Sequence, residues 1–337
     1  MKKLLSVLLA IALLVSMSVV AFAEDTAAEK GVVVYGASTE INGDFAPAEW
    51  WTNNATDNMI RKMINDYSPV ATNQNGEYVI NETVAESVEG VINDDGSKTF
   101  TVKINEGLVY NNGTPITAKD FVWASVFGCS KVATEVGARL TTYQTVVGGQ
   151  AYYDGEAACV SGIRLLDDYT YSVTIVADKI PYFFDLAYMA GSALNMEYWL
   201  GGAVELKDDG EGCYIEGLTK DAIAKQLEYA RFDSSETRVS CGAYNLVSFD
   251  KTSLQATLTL NENYAGNFEG QKPSIEKIVI VKAEDATWAD QIKTGAFNFY
   301  DQIIDGDDIN TAMDIIEEGG FGYVQFDRAG YGKIQFA

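Results

Sequence analysis

Histidine is absent from the chain. Without an imidazole there is no Ser-His-Asp or Cys-His catalysis, no His-rich zinc site and no imidazole pH switch. Basic residues are also short, 24 against 48 acidic ones, for a formal charge of −24. That balance argues against binding a phosphate backbone, which needs a Lys/Arg surplus, and no basic run of five occurs. Cysteine numbers only four, Cys129, Cys159, Cys213 and Cys241, widely spaced and without a CxxC pair. Neither a metal knuckle nor dithiol redox chemistry is supported, and small buried or half-buried thiols are expected. There is no GxGxxG after a strand, no P-loop, no GxSxG and no HExxH. After the N-terminal segment no stretch reaches eighteen apolar residues.

What is present describes an exported globular protein. The 337 residues suggest two or three domains, and 47% apolar with 21% charged residues exclude wholesale disorder. Lys2 and Lys3 precede an apolar stretch from Leu4 to Val20, broken only by Ser6, Ser16 and Ser18. Ala21-Phe22-Ala23 then places small residues where a signal peptidase reads. This reads as a secretory signal, residues 1–23, cleaved after Ala23; an uncleaved anchor is the competing reading. Loss of its two lysines takes the formal charge from −24 to −26. No cysteine follows the cleavage point to carry a lipid.

Along the chain, Val32 to Tyr35 reads as a buried strand bounded by Gly31 and Gly36, followed by a long loop, 37–56. Met59, Ile60, Met63 and Ile64 recur at helical spacing, with Thr56 placed to cap that helix and Pro69 beyond it. Phe100, Val102 and Ile104 share one face of a strand, joined through Asp94-Asp95-Gly96 to a partner near Val91-Ile92. Thr117 and Asp120 form a capping box ahead of Phe121, Val122 and Trp123. Further strands are expected over 169–176, 254–260 and 275–281, and an aromatic helix over 182–189. Trp288 and Ile292, then Ile309, Met313 and Ile316, mark two late helices, with Gly295 and Gly319-Gly320 as stops. Asp305, Asp307 and Asp308 read as a solvated helix start, since EF-hand spacing is missing. Alternating strands and helices late in the chain suggest α/β layers, and the hairpin-rich middle an α+β insertion. Trp50-Trp51 sits in a loop: it either walls a ligand pocket or plugs the core beneath the loop.

Four segments, in order, resemble the family 5 extracellular solute-binding proteins of ABC importers, the oligopeptide- and dipeptide-binding group. The most specific is Thr99-Phe100-Thr101-Val102-Lys103-Ile104-Asn105-Glu106-Gly107, followed by Tyr110-Asn111-Asn112-Gly113-Thr114-Pro115-Ile116-Thr117-Ala118-Lys119-Asp120-Phe121. The others are 166–170 running on to Pro181-Tyr182-Phe183-Phe184, then 241–246 with 258–266, and 275–281 with 294–298. The resemblance implies a periplasmic-binding-protein-like architecture of type II, three domains, α/β with an α+β insertion. Domain I would comprise 24–70 and 179–320, domain II the inserted 71–178, and 321–337 a crossover towards a domain III largely missing from these 337 residues. On that expectation this chain alone binds ligand weakly.

The same resemblance implies no enzyme and no cofactor. It implies a peptide or other small solute as ligand, membrane permease subunits as partners, no nucleic acid, a monomer, and an extracellular or cell-envelope location. The loop after the first strand would supply ligand contacts at Glu49, Trp50 and Trp51, and the turn Cys241-Gly242-Ala243-Tyr244 further ones. Alternatives are an oligosaccharide ligand on the same fold, a secreted hydrolase, for which no paired carboxylates stand out, and a structural cell-surface protein.

Overall fold

The computed structural model describes residues 31–47 and 50–325. The export signal, Glu49 and the end of the crossover segment lie outside the described residues. The strands are β1 (Val32–Ala37), β2 (Val70–Thr72), β3 (Tyr78–Ile80), β4 (Ala85–Ile92), β5 (Lys98–Ile104), β6 (Ile163–Leu165), β7 (Thr170–Ile175), β8 (Glu205–Asp208), β9 (Cys213–Glu216), β10 (Tyr244–Asp250), β11 (Gln255–Leu260), β12 (Lys277–Lys282) and β13 (Phe299–Tyr300). The helices are α1 (Ala55–Ile64), α2 (Ala118–Gly128), α3 (Lys131–Glu135), α4 (Gly149–Asp154), α5 (Met196–Leu200), α6 (Lys220–Phe232), α7 (Trp288–Lys293) and α8 (Gly306–Glu318).

Two sheets organise these elements. The first runs β10-β11-β12-β1-β13, with β1 parallel to both β12 and β13 and the other pairs antiparallel. Strand alternation gives it two buried faces. Tyr35, Ile278 and Ile280 pack with Ile60 and Ile64 of α1 on one side. Val34 and Val279 pack with Trp288, Phe297 and Ile315, from α7, α8 and the loop between them, on the other. This is the layered α/β arrangement expected from the late alternation of strands and helices. The approach is close: a Cβ on Gly36 of β1 would lie 2.8 Å from the Phe297 ring.

The second sheet, β4-β5-β7-β6, is antiparallel throughout and lies in the middle of the chain. Phe100, Val102 and Ile104 point into its core as their alternation requires. The turn before β5 forms as expected, with Ile92 opposite Lys98. Helix α2 covers this sheet, and the Asp120 carboxylate reaches back to the Thr117 amide at 2.8 Å. The same core takes in Trp199 and Leu200 of α5, Leu206 and Ile215 of the β8-β9 hairpin, and Ile223 and Leu227 of α6.

Two local expectations are corrected. Asn54, not Thr56, caps α1: its side chain accepts the Asp57 amide, while the Thr56 hydroxyl is spent on the Thr39 carbonyl at 2.7 Å. The aromatic stretch 182–189 winds only as a 3-10 turn over Asp185–Met189. Met189 is its only buried residue, so Tyr182 to Phe184 have no core surface to wind against. Helix α8 forms where the Ile309, Met313 and Ile316 spacing expected one and stops at Gly319, with Ile315 as its buried residue. The cysteines are free, with Cys129, Cys213 and Cys241 buried and Cys159 half-buried. Asp305 caps α8 by accepting the Asp307 amide, as expected.

Phe100 is 1% exposed at the centre of the second sheet. Phe100→Ala is expected to destabilise the chain by about 3–5 kcal/mol, read as a lower urea midpoint; a loss within error would mean the sheet does not pack as described.

Candidate functional site

The loop after β1 starts at the carboxyl end of two parallel strand pairs, the edge where open α/β sheets hold ligands. Residues 43–47 and 50–51 of this loop are buried. The Trp50 ring joins an aromatic cluster with Trp123, Phe127 and Trp199, at centroid distances of 6.0, 5.6 and 6.3 Å. Trp51 donates its indole N–H to the Val136 carbonyl at 3.2 Å, and the Arg139 amide donates to the Trp50 carbonyl at 2.7 Å. Of the two readings of the pair, the packing favours the core plug: the tryptophans wedge the loop against the segment after α3.

The turn Cys241-Gly242-Ala243-Tyr244 leads into β10 and abuts the end of α1. The amides of Cys241 and Gly242 both donate to the Ile64 carbonyl, at 3.2 and 2.8 Å. That approach leaves no room for a side chain: a Cβ on Gly242 would fall 2.3 Å from the Met63 carbonyl oxygen. Cys241 is fully buried with its thiol on the Ala193 carbonyl, Tyr244 is buried and Ala243 half-buried. Sequence reading named this turn but missed the residue that fastens it. Asn111 exchanges backbone and side-chain bonds with Ser240, donates to the Arg238 carbonyl at 2.8 Å and to Asn245 Oδ1 at 2.9 Å. Asn263 donates to the Asn111 carbonyl and Asn261 to the Gly242 carbonyl. The signal was in the sequence, since Asn111 belongs to the Asn-Asn-Gly-Thr-Pro run.

Titratable groups cluster behind the turn. Tyr264 stacks on Tyr67 at 5.5 Å and donates its hydroxyl to Asp66. Burial pushes the Asp66 carboxyl up, opposed by the Tyr264 bond. Asp120 is likewise raised by burial, opposed by the Thr117 amide and the Tyr110 hydroxyl, which donates to it at 2.8 Å. Burial raises the Cys241 thiol to about 12, so it is a protonated apolar filler, not a nucleophile. Among the described residues no group of three or more potential ligands is placed to hold a metal. The arrangement has no acid–base pair set at a reacting position; it is built to fix backbone and shape. Trp50 and Trp51 precede α1 and the 241–244 turn sits on its C-terminal end, and Trp50, Trp51 and Cys241 share one core. An open hollow of about 520 Å³ beside the end of α6, lined in part by Lys225, Tyr229, Phe232 and Ser235, includes none of them; its shallow form makes the strand ends the better candidate.

The profile of the bacterial extracellular solute-binding proteins, family 5, matches residues 79–329. The chain belongs to this family. Among solved structures it is similar to a Haemophilus influenzae OppA in complex with RPPGFSPFR, with a TM-score of 0.61, 19% identity, 87% of this chain and 49% of that one covered. A Listeria monocytogenes OppA bound to peptide gives 0.57 at 17% identity, covering 79% and 45%. A periplasmic EDTA-binding protein, EppA, gives 0.59 at 16% identity, covering 86% and 47%. At these identities the likeness establishes the shared fold, and the chain spans about half the length of the solved structures it matches. No curated protein matches it significantly. The family membership and the fold agree with the resemblance carried by the Thr99–Phe121 segments. The sequence pattern at the 241–244 turn has a physical basis here, in the contact of Gly242 with α1.

Gly242→Ala is expected to cost about 2–4 kcal/mol, because backbone and not a flexible side chain occupies the Cβ position. Thermal melting checks this; an unchanged Tm would show that the turn does not touch α1.

Proposed function

We propose that this protein is the exported, non-catalytic binding component of an ABC importer, taking peptides in a cleft between lobes and delivering them to a membrane permease. Domain I, 24–70 with 179–320, forms one wall of that cleft and domain III the other, while domain II, 71–178, is inserted into domain I. The export signal is cleaved after Ala23. The observation that carries the reading is the family 5 match over most of the chain, joined to a fixed loop at the carboxyl ends of β1, β12 and β13. Extended peptides are held largely by main-chain hydrogen bonds, which suit a site whose side chains are mostly committed to packing. Glu49, Trp50, Trp51 and the 241–244 turn are its candidate contact segments. Ligand would close the lobes only through contacts made better in the closed state.

A non-peptide solute is the second reading, because one solved neighbour of the same fold is described as EDTA-binding. An oligosaccharide stacked on Trp50 and Trp51 is disfavoured by their burial, 5% and 8% exposed.

The protein as its host exports it, titrated calorimetrically with RPPGFSPFR and with mixed tri- to pentapeptides, is expected to give saturable heat with Kd of about 1 μM or tighter. Heat with oligosaccharides or chelating carboxylates and none with peptides would replace the assignment.

A further inference from the structure

The described residues of the loop between 38 and 54 have no regular structure, and such loops are ordinarily mobile. This one is buried over 43–47 and 50–51, so its backbone groups need partners inside the protein. Three arginines supply many of them. Arg61 of α1 donates from Nε to the Asp44 carbonyl at 3.0 Å, and Arg238 donates to the Phe45 carbonyl at 2.6 Å. The Phe45 amide donates to the Arg231 carbonyl, in the last turn of α6, at 2.9 Å. The Asp57 carboxylate adds two more anchors by accepting the Asn42 and Gly43 amides at 3.0 and 3.3 Å.

The Asp44 side chain is at the centre of this set. It is 3% exposed, accepts the Arg231 guanidinium on one oxygen at 2.8 Å and lies 3.7 Å from Arg61 on the other. It also accepts the Thr52 hydroxyl at 3.1 Å and the Ala46 amide at 3.2 Å, bridging both arms of the loop. Arg231, held in this way, lies over the Trp51 ring with its guanidinium carbon 4.6 Å from the centroid. A carboxylate thus fixes a cation, and the cation fixes the Trp51 ring.

We infer that Asp44 is a positioning residue: through Arg61 and Arg231 it sets the placement of Trp50 and Trp51 before any ligand arrives. The consequence for ligand rests on the peptide reading above, since a preset loop lowers the ordering cost of binding. Removing the carboxylate takes away the ion pair that holds the Arg231 guanidinium over the Trp51 ring, so the ring loses that support.

The full chain labelled with 5-fluorotryptophan carries five reporters, one at each tryptophan. Asp44→Asn is expected to move the fluorine resonance of Trp51, assigned with Trp51→Phe, and to leave that of Trp288, in a separate core, in place. Arg231→Gln is expected to move the same line. The double variant should shift it by less than the sum of the two. In the exported protein, Asp44→Asn is expected to weaken RPPGFSPFR about tenfold. A Trp51 line that stays put in folded Asp44→Asn while Tm falls would overturn the inference, leaving Asp44 a stabiliser only. If Asp44→Asn does not fold, Arg231→Gln decides by the same line, because Arg231 is partly exposed. Movement of the Trp51 line together with no peptide binding by the unmutated protein upholds the positioning role and removes the peptide reading instead.

Discussion

The contact on which the rest of the structure depends is the seating of Cys241 and Gly242 on the end of α1. One carbonyl, that of Ile64, takes two amides, and the spacing admits no side chain at 242. From that point β10 is aimed into the first sheet, and Asn111 reaches across from the strand–turn–helix segment to the residues just before the turn. The Tyr67–Tyr264 stack closes over the same place, with Asp66 beneath it. Two sheets formed from distant stretches of chain are therefore joined by backbone hydrogen bonds and amide side chains. Such groups are costly to bury unpaired and directional when paired, which makes the joint specific as well as stable.

The loop after β1 is held on a different principle. Its partners are charged, and buried charges are retained only where they are matched. Arg61 and Arg231 meet the Asp44 carboxylate, Asp57 lies beside Arg61, and Arg238 donates to the Asp233 backbone carbonyl. The large acidic excess of the chain does not reach this interior set, which is balanced; the surplus carboxylates lie mainly on the surface, where they contribute solubility and not fold. Burial shifts the Asp66, Asp120 and Cys241 side chains towards their neutral forms.

Periodic elements were legible in the sequence because one residue type repeated at one spacing. The face shared by Phe100, Val102 and Ile104, the Thr117–Asp120 start of α2 and the glycine stops all follow from local chemistry. The stretch 182–189 and the exposed Ile309 and Met313 were not legible, since apolar residues alone do not say whether a surface exists to receive them. The candidate site divides in the same way. The turn 241–244 could be named from the family pattern, but the reason for its glycine needed the position of Met63, far away in sequence. Trp50 and Trp51 looked like a ligand wall because they sat in a loop, and only the rings of Trp123, Phe127 and Trp199 show that the loop is itself core. Asp44 and its arginines carried no local signal, because they are scattered from 44 to 238 and meet only in the fold.

This joint and this loop belong to the cooperative core before any ligand binds. Native-state hydrogen exchange of the unliganded chain tests it most directly. The amides of Asn111, Cys241 and Gly242 in the joint, of Phe45 in the loop, and of Arg139 bonded to it should exchange only through global unfolding, with the same denaturant dependence as the amides of β5. Exchange of these amides through low-energy local opening, while β5 stays protected, would contradict it.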